Sequence, residues 1–328
     1  MSEYKEIKGI KVQDLGADPP APFAGQVWYN NSSGDLKYFG IQSAAWSTGG
    51  DVGTARYYPG SAGTQTAGLI FGGTTGTSPF MTNETEEYDG STWTAGGNLG
   101  TSRRELAGAG TQTAALGFGG YVQPPTGGFS DSTEEYDGSS WTAGGNLGTA
   151  RTKLAGAGTQ TAGLAIGGGN PSGVTNTEEY NGSSWTAGGA LSTGRKSLAG
   201  AGTQTAALGF GGNDGGTRVA VTEEYNGSSW TAGGSLNTER RFLAGAGTQT
   251  AGLAFGGENA STAVISSTEQ YEGSSWTATA SLNTAVQKSS GAGIQTLAIS
   301  IGGEAPSITS ATEEYNGGGP ATLIIGTD

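Results

Sequence analysis

Six near-copies of one short segment constrain the fold of this chain more than any other feature. Residues 106–120 read LAGAGTQTAALGFGG, and the same segment returns as LAGAGTQTAGLAIGG at 154–168, LAGAGTQTAALGFGG at 198–212 and LAGAGTQTAGLAFGG at 243–257. A first copy ends in GTQTAGLIFGG at 63–73, and a last one reads GAGIQTLAISIGG at 291–303. Gln65, Gln112, Gln160, Gln204, Gln249 and Gln295 of the Thr-Gln-Thr element and its variant stand 47, 48, 44, 45 and 46 residues apart. Each copy leads, after a variable stretch, to Thr-Glu-Glu-Tyr beginning at Thr85, Thr133, Thr177, Thr222 and Thr312, or to Thr-Glu-Gln-Tyr at Thr268. Five of the six continue to a Trp: Trp93, Trp141, Trp185, Trp230 and Trp276. The period is too long for leucine-rich repeats and right for the blades of a propeller.

Local chemistry places four short strands in each period. Of the 328 residues 64 are Gly and 10 are Pro, so helices of ordinary length are excluded. The strict period also separates the chain from an aperiodic Gly-rich disordered one. Residues 154–158 (LAGAG) form an extended run of small residues, followed by the turn Thr159-Gln160-Thr161. Residues 162–166 (AGLAI) are the most apolar stretch of the unit and stop at a Gly-Gly pair. Residues 177–180 then face Trp185 across Asn181-Gly182, a dipeptide that accepts positive φ and closes a hairpin. Such a four-stranded sheet cannot bury both its faces alone, so it has to stack on its neighbours, and six of them close a ring.

Taken in order, the apolar strand with Gly-Gly, Glu-x-Tyr-Asp/Asn, Trp and Thr-x-Arg resembles the kelch repeat over residues 50–328. The Arg position holds Arg56, Arg103, Arg151, Arg195 and Arg240, with Val286 in the sixth copy. The resemblance implies an all-β propeller of four-stranded blades, with the small-residue strand nearest the axis and the Trp strand outermost. The last repeat lacks a Trp, whereas residues 36–46 (LKYFGIQSAAW) read as two strands without a preceding blade. Six blades, with the Trp46 strand from the N-terminus completing the last, are expected; seven blades, with residues 24–48 forming their own, are the alternative. The expected division is an extended docking arm at 1–23 and a propeller at 24–328.

Composition removes much chemistry. The chain has no Cys and no His, and so no thiolate, no imidazole base and neither of the commonest metal ligands. Kelch folds include a copper oxidase that uses a Tyr–Cys cofactor and His ligands, which this sequence cannot supply. With 15 basic against 28 acidic residues the net charge is −13, a poor match for nucleic acid or an anionic membrane. Neither a signal peptide nor an apolar membrane span is visible. No cofactor, metal or catalytic group is expected.

The Trp and Arg of each repeat are expected to be structural: Trp46 and its five counterparts between blades, and the Arg in ion pairs from blade to blade with the paired Glu. Adjacent strand residues point to opposite faces, so Glu134 and Glu135 cannot both face one substrate. The connection after Gly-Gly varies most, and function makes loops differ where packing makes blades alike. Phe80, Met81, Tyr121, Pro124, Phe129 and Arg218 in these connections are the candidate contact residues, on a rim opposite the uniform Thr-Gln-Thr turns. Residues 25–38 (GQVWYNNSSGDLKY) resemble a hairpin found in virion proteins of tailed bacteriophages. The expected function is therefore a non-enzymatic structural component of a phage particle, attached to capsid or tail. Its partners would be other virion proteins, through residues 1–23, and a host-surface glycan or protein. The alternative is a lectin-like adhesin with repeated sites for neutral glycans.

Overall fold

A computed structural model of the protein describes residues 12–23, 25–78, 80–123 and 127–325. Every regular element among them is a β-strand, and the described chain forms two compact units, within residues 46–316 and within residues 1–45 and 317–328.

The larger unit repeats one four-stranded antiparallel sheet. In its second copy the strands are Ala107–Thr111, Ala114–Phe118, Thr133–Tyr136 and Trp141–Ala143, hydrogen-bonded in that order. Equivalent sheets begin at Gly60–Gly63, Ala155–Gly158, Ala199–Thr203, Ala244–Gly247 and Ser290–Ile294. The last of these takes its fourth strand from the other end of the chain, Ala45–Thr48 beside Thr312–Asn316. The arrangement is propeller-like. Each first strand lies beside the first strand of the next sheet, and Ser290–Ile294 lies beside Gly60–Gly63.

Composition explains this stacking. Second strands such as Gly163–Ile166 and Gly252–Phe255 are buried at every position, because neighbouring sheets cover both faces. Leu164, Ile166, Leu208 and Phe210 are wholly inaccessible, each contributing about 1.5–3 kcal/mol by burial. First strands must instead be thin. A Cβ on Gly108 would stand 2.2 Å from the Ser61 carbonyl of the preceding sheet, and one on Gly156 2.3 Å from that of Gly108. Small residues let these backbones converge. The Gly-Gly pair has another reason: Gly119 and Gly120 have φ of +67° and +103°, which release the chain from the sheet towards the loop.

The smaller unit is a sheet ordered Gln13–Leu15, Val27–Asn30, Asp35–Gln42 and Gly319–Ile324, its first pair parallel. Asp18 accepts hydrogen bonds from Trp28 Nε1 at 3.0 Å, Asn30 Nδ2 at 2.7 Å and Lys37 Nζ at 3.0 Å. Those donors lower its pKa to about 2, the Asn30 and Trp28 bonds ahead of Lys37. Of the expected arm 1–23, residues 12–23 thus include a strand and a carboxylate tied to the hairpin; residues 1–11 lie outside the described residues.

Candidate functional site

Three side-chain devices join each repeated sheet to the one before it, and together they absorb most of the conspicuous residues. The Gln of Thr-Gln-Thr reaches back with Nε2: Gln160 donates to the Ala115 carbonyl at 3.1 Å and the Tyr136 carbonyl at 2.6 Å. Gln65 of the first copy makes the same bonds to Ala298 and Tyr315 of the last. The Trp indole donates to the Thr of the preceding Thr-Glu-Glu-Tyr, as Trp185 to Thr133 at 2.9 Å, Trp141 to Thr85 at 2.9 Å and Trp230 to Thr177 at 2.9 Å. Trp276 bonds Thr222, Trp46 bonds Thr268 and Trp93 of the first sheet bonds Thr312 of the last. These rings pack on the Tyr of their own sheet, with Trp185 and Tyr180 centroids 5.0 Å apart. Their faces and N–H groups are engaged within the fold.

The third device uses the second Glu of each pair. Glu135 accepts from Tyr180 of the following sheet at 2.5 Å, Glu87 from Tyr136 at 2.6 Å, and Glu314 from Tyr88 at 2.6 Å. Where Gln270 replaces this Glu, its amide donates to Tyr315 at 3.2 Å. Burial, then the hydrogen bond to the carboxylate, pushes Tyr88, Tyr136, Tyr180, Tyr225 and Tyr271 up to about 12. The raised value favours the neutral phenol in the folded state. This stabilisation is complete below the unfolded value near 10 and is lost as pH rises through about 12. Phenolate absorbance of this set should therefore appear together with unfolding; ionisation near pH 10 with the sheets intact would contradict it.

The first Glu pairs with the Thr-x-Arg residue, but within one repeat, not from blade to blade as the sequence led us to expect. Arg103 Nη2 meets Glu134 at 2.8 Å, Arg56 meets Glu86 at 2.5 Å, Arg151 meets Glu178 at 2.6 Å, and Arg195 meets Glu223 at 2.8 Å; Arg240 pairs with Glu269. All five Arg are fully buried. The geometry requires this pairing: the segment leading into the first strand passes the end of the third strand of its own sheet. Burial pulls Arg103 below the usual guanidinium range, and Glu134 opposes that. The link to the preceding sheet runs through backbone instead, Gly73 N–H donating to the Arg103 carbonyl at 2.8 Å.

Two residues after each Arg, or after Val286, stands a non-glycine residue in the left-handed region, with φ between 54° and 59°: Tyr58, Glu105, Lys153, Ser197, Phe242 and Lys288. Their backbones form a cycle. Glu105 N–H donates to the Tyr58 carbonyl at 3.0 Å, Lys153 to Glu105 at 2.9 Å and Ser197 to Lys153 at 2.8 Å. Phe242 donates to Ser197 at 3.0 Å, Lys288 to Phe242 at 2.9 Å, and Tyr58 to Lys288 at 2.9 Å, which returns to the start. Holding six side-chain-bearing residues at positive φ costs conformational energy that the cycle offsets. All six line a cavity of about 150 Å³ floored by the thin first strands. Lys288 Nζ lies 5.4 Å from the Tyr58 ring centroid and 5.7 Å from that of Phe242, and Lys153 Nζ lies 5.8 Å from each. Burial first, then Glu105, raises the Tyr58 hydroxyl pKa.

This mouth and the variable connections share one side of the sheets. Tyr57 bridges Thr74, Arg104 pairs with Tyr121, Thr152 bridges Gly169, Lys196 bridges Asn213, Arg241 pairs with Glu258 and Gln287 bridges Glu304. The cations follow the same division. Outside the buried pairs, the basic side chains of residues 46–316 are Arg104, Lys153, Lys196, Arg218, Arg241 and Lys288. Five immediately precede or occupy the left-handed positions, and Arg218 lies in a variable connection. Sequence reasoning missed these positions, although a signal was present: they vary between two segments that hardly change.

The expected contact residues divide. Phe80 (54% exposed) and Phe129 (39%) are open, and Tyr121 is half-buried with its ring edge-on to Phe129 at 6.1 Å. Met81 is buried, because it forms a strand bridge to Thr74 that folds the loop back, so it offers no open surface. Arg218 is committed to Glu258, which also binds Arg241 at 3.0 Å. Pro124 lies outside the described residues. No family model matches the chain, and no curated protein matches it.

Proposed function

We propose that the chain is a non-enzymatic binding component of a phage particle, built as a closed six-bladed kelch-type propeller that presents its loop side to a partner. The observation that carries this reading is the confinement of variation to one side. Every sheet-to-sheet device is repeated almost unchanged, while the left-handed positions and the connections around them differ in charge, size and length. Six blades are supported by the hydrogen-bond cycle and by the Gln65, Trp93 and Tyr88 bonds that join the first sheet to the last. The non-enzymatic reading is supported by the carboxylates: the first Glu of a pair is held by Arg or, in the sixth repeat, by backbone N–H groups, and the second by Tyr or, in the fifth repeat, replaced by Gln.

Particle membership rests on the hairpin sequence of residues 25–38, and the proposed attachment is through the smaller unit. Repeated glycan sites at the Trp residues are disfavoured by the bonds those indoles make. Quantitative mass spectrometry of gradient-purified particles should find the chain at a fixed copy number per particle. Recovery from the lysate alone, with none in the particles, would overturn the particle assignment.

A further inference from the structure

The loop side holds one cavity whose chemistry is not repeated around the sheets. It measures about 510 Å³ and is lined by Tyr57, Thr74, Phe80, Arg104, Tyr121 and Ile308, among others. Three aromatic rings form its walls. Thr74, at 3% exposure, closes its base. Arg104 is the one Arg of residues 46–316 without a short carboxylate contact among the described residues. Its guanidinium lies over the Tyr121 ring at 5.2 Å, its buried Nε lacks a partner, and Glu105 is 4.0 Å away, too far for a hydrogen bond. The corresponding cations elsewhere are occupied, Arg241 by Glu258 and Lys196 by the Pro171 carbonyl at 2.8 Å.

We propose that this cavity binds a carboxylated monosaccharide unit of a glycan, of the uronate or sialate class. The guanidinium, held by the Tyr121 ring and the distant Glu105 alone, can offer its two Nη groups to one carboxylate. A single cation suits a monoanion better than a phosphate dianion. Aromatic faces carry negative potential and suit the C–H face of a sugar ring. The chain's net charge of −13 disfavours any polyanion, a nucleotide polymer or a run of uronates alike, so the occupant is an isolated or terminal carboxylated unit. The inference gives the proposed loop-side partner a chemical class and in that respect rests on the reading above; its test needs no particle, so the two can fail separately.

The test is calorimetric titration of the full chain with glucuronate, galacturonate and N-acetylneuraminate, beside glucose, N-acetylglucosamine, acetate and an aspartyl tripeptide. Saturable binding of at least one acidic sugar is expected, weakening with salt, with neutral sugars and acetate much weaker. Arg104→Gln should weaken that binding by about tenfold or more. An unchanged melting curve would show that the variant folds; should Arg104→Gln fail to fold, Arg104→Lys, which keeps the charge and loses the fork, takes its place. Binding of neutral sugars unaffected by Arg104→Gln, preference for the peptide, or no binding of any acidic sugar would each overturn the proposal.

Discussion

Arg195→Ala is expected to destabilise the repeat unit by about 3–5 kcal/mol, because it strands a buried carboxylate. Glu223 is 1% exposed, and Arg195 supplies its 2.8 Å ion pair while also donating to the Gly211 and Val221 carbonyls, both at 2.9 Å. Removing the guanidinium leaves the Ser192 N–H, at 2.8 Å, as the remaining bond to that carboxylate. The loss corresponds to a melting temperature lower by about 10 °C. The double variant Arg195→Met with Glu223→Leu should recover more than half of it, since an apolar pair avoids the stranded charge. The sixth repeat shows which feature sets the cost: Val286 occupies the Arg position, and Glu313, 8% exposed, is met by the backbone N–H groups of Asn283 and Thr284 at 2.7 and 3.1 Å. A loss below about 1 kcal/mol for Arg195→Ala would show that backbone donors suffice in the fourth sheet too.

Trp46→Ala should cost as much as Trp276→Ala, about 3–5 kcal/mol each, since both remove a large buried ring. Trp276 is 4% exposed, sits 4.9 Å from Phe210 and 5.0 Å from Tyr271, and bonds Thr222. Trp46 arrives from the other end of the chain yet is 6% exposed, 5.0 Å from both Phe255 and Tyr315, and bonded to Thr268 and the Ala280 carbonyl. If the Ala45–Thr48 strand is an integral part of the last sheet, thermal melting of the two variants should fall together as single transitions. A Trp46→Ala variant with the wild-type midpoint would mean that the strand is dispensable.

Much of this was legible because the repeat is so faithful. Comparing copies locates four strands per period, and the missing Trp at the end pairs with the surplus Trp46 at the beginning without any coordinates. Partnership was harder. The sequence shows that Arg103, Glu134, Glu135 and Tyr180 recur together, but not which Glu turns inward and which crosses to the next sheet; that depends on where the third strand ends relative to the following chain segment. Gln160 looked like part of a turn because its two acceptors are backbone carbonyls, invisible to residue identity. Met81 and Phe80 are neighbours in a loop, yet one is buried and the other open, a difference set by the Thr74 bridge. The cavity beside Arg104 draws on three separate connections, so no stretch of sequence contains it.

The proposed closure of the ring can be tested through distances between labels, because the chain has no native cysteine. Thr94, Thr142, Thr186, Thr231, Thr277 and Ser47 are exposed, one on the fourth strand of each successive sheet. Spin labels on Cys substitutions, paired with Thr94 in turn and measured by pulsed dipolar spectroscopy, should show a separation that grows to Thr231 and then shrinks. The Thr94–Ser47 pair should return to the spacing of the Thr94–Thr142 pair. A separation that keeps increasing to Ser47 would describe an open solenoid and contradict the proposed six-sheet ring.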